Sequence, residues 1–328
     1  NFVVIHRGKE PNTVSSHKNS IMSKNSTMKS SRSSLRLQFF NLKMLINSHG
    51  WVQLCPFQRI HNGIIRHEKL GKYVFQISVK ESKERLIFSF ISSEKISLAN
   101  KENLKSRCRY MVGSDIDLTE FLSLAEKLDG DIFQFAKAGG ARFLRGTTLF
   151  EDVLKTLFTT NASWKFTQLM CQRIVRECKL QAGEKTTQDY FPSIEEVNDI
   201  SISRLKNHCK LGYRSSYVKN IVRAFSENDR FYGWTTADIL DCMSHVSGLG
   251  KYCVNHIAIL LGKYDRIPID SAVRSYIRNV GAPDDDKSIM SMYDKWHPYQ
   301  FLAYKLDRRI RNNNWIGDIS STRHDKQV

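Results

Sequence analysis

The stretch from Val246 to Tyr276, VSGLGKYCVNHIAILLGKYDRIPIDSAVRSY, constrains this chain more than any other. It sets Gly248-Leu249-Gly250 between two apolar helical patterns and places Asp270 twenty residues after the second glycine. Thr235 or Thr236 caps a first helix that runs to about Cys242, with Asp238 in its first turn. Glycine tolerates positive φ and lets another backbone come close, so the Gly-Leu-Gly segment ends that helix. A second helix starts at Lys251 and carries Val254, Ile257, Leu260 and Leu261 on one face. Its first N–H groups lack intrahelical partners and stand at the positive end of the helix dipole, which suits an anion such as a phosphate. Taken alone, the turn is equally compatible with an ordinary αα-hairpin.

Asp270 adds chemistry to that hairpin. Pro268 disfavours helix at Ile267, so the chain reaches Asp270 extended. The aspartate then stands at the N-cap before Ser271-Ala272-Val273-Arg274. A helix N-terminus favours negative charge, and a carboxylate there is suited to stabilising a cationic sugar in a transition state.

The rest of the chain divides by pattern. Residues 1–34 hold six Lys/Arg against one Glu and little periodicity, and are expected to be a disordered basic tail. Residues 35–117 are expected to form a β-rich domain. Phe75, Ile77 and Val79 alternate with polar residues, and after Glu81-Ser82-Lys83-Glu84 so do Leu86, Phe88 and Phe90, which reads as a hairpin with one buried face. Residues 118–318 read as helical, with a tail at 319–328. Phe150, Val153, Leu154, Leu157 and Phe158 follow the spacing of a core-facing helix. The expected class is α+β: a β-rich N-terminal domain followed by an all-helical domain.

Composition restricts the partners. With 50 Lys+Arg against 33 Asp+Glu, the net charge of +17 suits a polyanion. Charge alone fits an RNA, ribosomal or membrane-surface partner as well. No apolar run approaches the roughly 18 residues a bilayer span needs, and no signal peptide is evident. The seven cysteines lack paired spacing, and Cys171 and Cys178 are expected to face a core. A reduced, intracellular protein without a membrane partner is expected.

Four ordered segments between about Leu35 and Arg311 carry a resemblance. VSGLGKYCVNHIAILLGKYDRIPID resembles the Gly-rich hairpin and following aspartate of the helix-hairpin-helix DNA glycosylase superfamily. ARFLRGTTLFEDVLKTLFTTNASW, residues 141–164, is similar to the first helix and wedge loop of that family. LGYRSSYV, residues 211–218, is similar to a loop of its 8-oxoguanine branch, and WHPYQFLA, residues 296–303, to its closing helix. The β-rich start matches the layout of the 8-oxoguanine and alkylpurine branches. No cysteine follows Cys253, so the four-cysteine iron–sulfur cluster of other branches is not expected, nor is zinc or any required cofactor.

The resemblance implies base excision from double-stranded DNA carrying a damaged or mismatched base, by a monomer. The damaged nucleotide is flipped out and its N-glycosidic bond cleaved with help from Asp270. Gly248, Gly250 and Lys251 would meet the DNA backbone. Asn161 would fill the space left by the extruded nucleotide, with Tyr213 and Arg214 as a second wedge element. Backbone carbonyls of Ser244, Val246 and Leu249 would hold a monovalent cation.

The nucleophile is open between two readings. Branches that also cut the strand use a lysine two positions after the second hairpin glycine. Here that position is Tyr252, which points to attack by water. Counting back from Asp270 instead, Lys251 lies close to the lysine spacing, which points to a glycosylase/lyase. The glycine count is preferred, because one residue turns a helical side chain by about 100°. A non-catalytic DNA-binding protein on the same scaffold is the third reading. Ser247 stands where the family usually has proline, and Ser48-His49-Gly50-Trp51 with Pro56-Phe57 departs from the 8-oxoguanine branch.

Overall fold

The computed structural model describes residues 28–184 and 186–312. Five strands form one antiparallel sheet in the order β1-β5-β4-β3-β2: β1 Lys29–Arg36, β2 Gln58–Ile60, β3 Gly63–Leu70, β4 Tyr73–Ser82 and β5 Arg85–Ser92. The β4–β5 hairpin turns through Lys83 and Glu84, both at positive φ, and its predicted inward residues Phe75, Ile77, Val79, Leu86, Phe88 and Phe90 are buried. A short helix, α1 (Leu42–Ile46), follows β1.

The helical region comprises α2 (Leu98–Met111), α3 (Thr119–Leu128), α4 (Gly130–Phe135), α5 (Leu149–Thr159), α6 (Trp164–Gln181), α7 (Ile194–Asp199), α8 (Ile202–Asn207) and α9 (Arg214–Glu227). It continues with α10 (Thr236–His245), α11 (Lys251–Leu260), α12 (Ser271–Asn279), α13 (Asp286–Met292) and α14 (Gln300–Arg311). Among the described residues no helix is long and apolar enough to cross a membrane. The architecture is the expected sheet followed by helices.

Two boundaries differ from expectation. Residues 29–34, assigned to the basic tail, belong to β1, which pairs with β5 from Lys29↔Ser92 to Arg36↔Arg85. An edge strand takes its stability from backbone pairing, so KSSRSSLR folds without an apolar alternation. The N-terminal segment is also not β throughout, since α2 occupies Leu98–Met111. Residues 1–27 and 313–328, which include the rest of the basic tail and the C-terminal tail, lie outside the described residues.

Two apolar clusters meet along a seam. The larger joins the inner face of the sheet to α2, α5, α6 and α9 and to parts of α10 and α11. The smaller gathers α3, α4, α12, α13 and α14 around Tyr264 and Trp296. Helix α11 serves both: Ile257 and Ala258 lie in the first cluster and Ile259 in the second. The α1 region does the same through Leu45 and Met44.

A buried ionic cluster fastens the sheet to α5. Arg66 of β3 forks onto Glu151 at 3.1 and 2.9 Å and also pairs with Glu68. Lys155, fully buried, donates to Glu151 at 2.5 Å. Thr147 Oγ1 donates to Glu68 at 2.8 Å. Burial acts to raise the Glu151 carboxyl, but Arg66 and Lys155 together hold it down to about 2. Its stabilisation is therefore present above the ordinary glutamate range and lost as pH falls toward 2. Glu151→Gln leaves two buried cations undercompensated, and urea unfolding at pH 7 should show a loss of about 3–5 kcal/mol.

Candidate active site

The hairpin forms as its sequence dictates. Thr235 caps α10 by accepting from Asp238 N at 3.2 Å, and α11 begins at Lys251. Gly248 adopts φ +104°, and a Cβ there would stand 2.2 Å from the Tyr217 side chain on α9. Gly248 is thus demanded by the fold. Gly250 is different. It caps α11 at φ −72° and ψ 176°, which any residue tolerates, and a Cβ there would meet nothing within 4 Å. No side chain caps α11, so its first N–H groups face open space with the dipole behind them. Ser244 lies in the last turn of α10, where carbonyls lack helical partners, while the Val246 carbonyl accepts from Leu249 N at 3.0 Å.

Asp270 caps α12, its Oδ1 accepting from Val273 N at 2.8 Å. Among the described residues Oδ2 makes no hydrogen bond, so one oxygen holds the helix and the other is free. Tyr252, Tyr304 and Lys305 lie within electrostatic reach of that carboxylate. Tyr252 is half-buried near the Thr159 side chain, whereas Lys251 is exposed. The two side chains are separated by the rotation of one helical residue, about 100°.

Aromatic and imidazole rings pack together behind Tyr252. Trp51 stacks on His49 at 4.5 Å and on His256 at 5.2 Å, and His256 lies 6.1 Å from the Tyr252 ring. The Trp51 indole is fixed from behind by Asp152, which accepts Nε1–H at 2.7 Å, Gly146 N–H at 2.7 Å and the Tyr110 hydroxyl at 2.9 Å. Burial, then Glu151, pushes the Asp152 carboxyl up to about 6. Burial, then Lys305, brings His256 down to about 4. His49 is lowered further by burial, His256 and Lys305. Both rings are neutral at pH 7. Among the described residues the Nε2 atom of each is buried without a hydrogen-bond partner. Ser48 Oγ accepts from Leu144 N and lies 2.9 Å from His49 Nδ1, so a hydroxyl donating to Nδ1 leaves His49 Nε2 as an unused donor.

The wedge candidates come together on one side. Asn161 is exposed at φ +44° between α5 and α6, and Tyr213, 52% exposed, precedes α9. Arg214 links them: its guanidinium lies 4.6 Å over the Tyr213 ring and donates to the Thr160 carbonyl and, at 3.2 Å, to that of Asn161. It is itself buried, so in this arrangement it is committed to the loop rather than presented to a base. Trp164 anchors the same loop through Nε1 to Gln53 at 2.6 Å.

Four residues of this site escaped the sequence reading. His256 was findable, because it follows Tyr252 at i+4 and shares its helix face. His49 and Trp51 were noted only as departures. Lys305 had no local signal.

Several solved structures share this fold. The apo 8-oxoguanine glycosylase/lyase of Clostridium acetobutylicum matches with a TM-score of 0.61 at 18% identity, covering 86% of this chain and 98% of that one. The 3-methyladenine DNA-glycosylase of Archaeoglobus fulgidus matches with 0.65 at 15%, covering 85% and 98%. The Clostridium enzyme in complex with double-stranded DNA containing cytosine opposite 8-oxoguanine matches with 0.59 at 17%, covering 87% and 98%. The chain therefore shares the fold of these DNA glycosylase structures. No protein-family model and no curated protein matches the sequence.

The two hairpin glycines should separate under substitution. Gly248→Ala meets both Tyr217 and a left-handed backbone, and should cost about 2 kcal/mol or more in chemical unfolding. Gly250→Ala should be neutral or more stable by up to about 1 kcal/mol.

Proposed function

We propose that this protein is a DNA glycosylase of base excision repair, which flips a damaged base out of duplex DNA and hydrolyses its N-glycosidic bond. The observation that carries the proposal is Asp270, whose capped carboxylate keeps one oxygen free near Tyr252 of α11, the helix whose N-terminus no side chain caps. The glycosylase folds of the Clostridium and Archaeoglobus proteins support it.

The residues divide the work. The α11 N-terminus and the Gly248–Gly250 backbone grip a phosphate, and Lys251 adds charge at the same edge. A monovalent cation on the carbonyls of Ser244, Val246 and Leu249 would brace the turn. Asn161 and Tyr213 enter the duplex, held in register by Arg214. The extruded base lies against Tyr252 and His256, with Trp51 buried behind the imidazole. Cleavage builds positive charge on the sugar, which the free oxygen of Asp270 stabilises while directing water to C1′. The half-buried Tyr252 and exposed Lys251 favour water over Lys251 as the attacking group. The partner is a double-stranded DNA with a damaged or mismatched base, and the protein acts as a monomer.

Base release from duplexes carrying different lesions, read by mass spectrometry, tests the proposal. Asp270→Asn should lower the single-turnover rate at least about 1,000-fold. DNA affinity should stay within about threefold, since asparagine still caps α12. Turnover within about tenfold of wild type would remove Asp270 from catalysis. With four to six phosphate contacts, raising salt from about 50 to 200 mM should weaken binding roughly 100- to 1,000-fold. A flat salt response would contradict a nucleic-acid partner.

A further inference from the structure

Helix α9 is tied to both parts of the expected DNA grip. In its first turn, Arg214 donates to the Thr160 carbonyl and, at 3.2 Å, to that of Asn161, which fixes the loop carrying one wedge residue. Tyr213, the other wedge residue, directly precedes the helix, and its ring meets the Tyr217 ring edge-on at 5.7 Å. Tyr217 also backs the hairpin, since a Cβ on Gly248 would stand 2.2 Å from its side chain. One turn further, Asn220 Nδ2 donates to the Ser247 carbonyl at 3.1 Å. Ser247 lacks the fixed φ that a proline would supply, so this amide restrains the turn from outside. Arg214, Tyr217 and Asn220 recur every three residues and so follow one another along the helix. Beside them, Val218, Ile221, Val222 and Phe225 lock α9 into the core. Wedge and hairpin are thus held by one fixed rod, their ties about 9 Å apart at about 1.5 Å per residue.

We propose that Tyr217 is a positioning residue that couples capture of a backbone phosphate at the hairpin to entry of Asn161 and Tyr213 into the duplex. The inference rests on the glycosylase reading and deepens it by assigning the step between grip and flip. Capture and entry are two attachments to one DNA. With their spacing fixed, the first places the second at its target, and the wedge needs no separate search. Coupling of this kind is reciprocal, so entry of the wedge strengthens the hold on the phosphate by the same factor.

Tyr217 is the residue through which the spacing acts, because its side chain meets both attachments. Gly248 leaves the hairpin backbone permissive, and the Tyr217 side chain limits it. The exposed Tyr213 ring has Tyr217 as its edge-to-face partner, a contact that favours one arrangement by about 2- to 10-fold. An aliphatic side chain at position 217 would fill part of the same space and offer no ring to Tyr213.

The test uses the full chain and a duplex with 2-aminopurine opposite a tetrahydrofuran abasic analogue, whose fluorescence reports wedge entry without any base release. Methylphosphonates placed one at a time along each strand neutralise single phosphates. In the wild type, one position should lower wedge entry at saturating protein about 10-fold. Tyr217→Leu should lower entry about 10-fold on the native backbone, and the same methylphosphonate should then change it by less than about twofold. Tyr217→Phe, which keeps the ring, should stay within about twofold of wild type. Asn220→Ala removes only the tie to Ser247 and should give the same non-additive pattern at about threefold, which decides the matter if Tyr217→Leu does not fold. No sensitive phosphate, losses that multiply, or an equal loss in Tyr217→Phe overturns the inference. The parent reading is scored separately, by base release from lesion-bearing duplexes. Base release with multiplying losses removes only the coupling, and coupling without base release removes the glycosylase.

Discussion

The ion cluster between β3 and α5 is the interaction on which the arrangement of the site depends. Arg66, Glu151 and Lys155 are fully buried, and each needs the others to remain charged there. Such a cluster tolerates little displacement, because a carboxylate moved away from its cations meets the full cost of desolvation. It therefore fixes the register of the sheet against α5. The next residue, Asp152, continues the effect by holding the Trp51 indole. Trp51 in turn supports His49 and His256. A structural salt-bridge network and a candidate base pocket thus share one turn of helix.

The site lies on the seam between two apolar clusters rather than inside either. Each cluster is a rigid packed body, and α11 is common to both. Tyr252 and His256 project from α11 into the gap, Asp270 and Lys305 approach from the second cluster, and His49 approaches from the N-terminal module. Among the described residues His49 Nε2 and His256 Nε2 are buried without hydrogen-bond partners, as are atoms elsewhere such as Arg142 Nε and Thr156 Oγ1. In a packed interior each such atom is costly.

Asp270 shows how one residue serves stability and chemistry together. The cap uses Oδ1, and the extended approach imposed by Pro268 directs the carboxylate before the helix begins. The same division appears in the glycines. Gly248 answers to the Tyr217 ring inside the protein, while Gly250 answers to nothing inside it. A glycine that packing does not require is readily explained by something that approaches from outside.

Local pattern in the sequence determined the sheet hairpin, the stripe of α5, the caps of α10 and α12, and the hairpin with Gly250 at the head of α11. These depend on neighbours two to four positions apart, and such periodicities are written directly into the chain. It did not disclose β1, because an edge strand draws on its partner's backbone, nor α2, whose LANKENLKSRCRYM carries few apolar residues to mark a face. The relation of Tyr252 to Lys251 was legible as a rotation about one helix. The gathering of His49, Trp51, His256 and Lys305 was not, because those residues come from three separate parts of the chain. Only packing of the two clusters across α11 brings them together, and burial there lowers both imidazoles and Lys305.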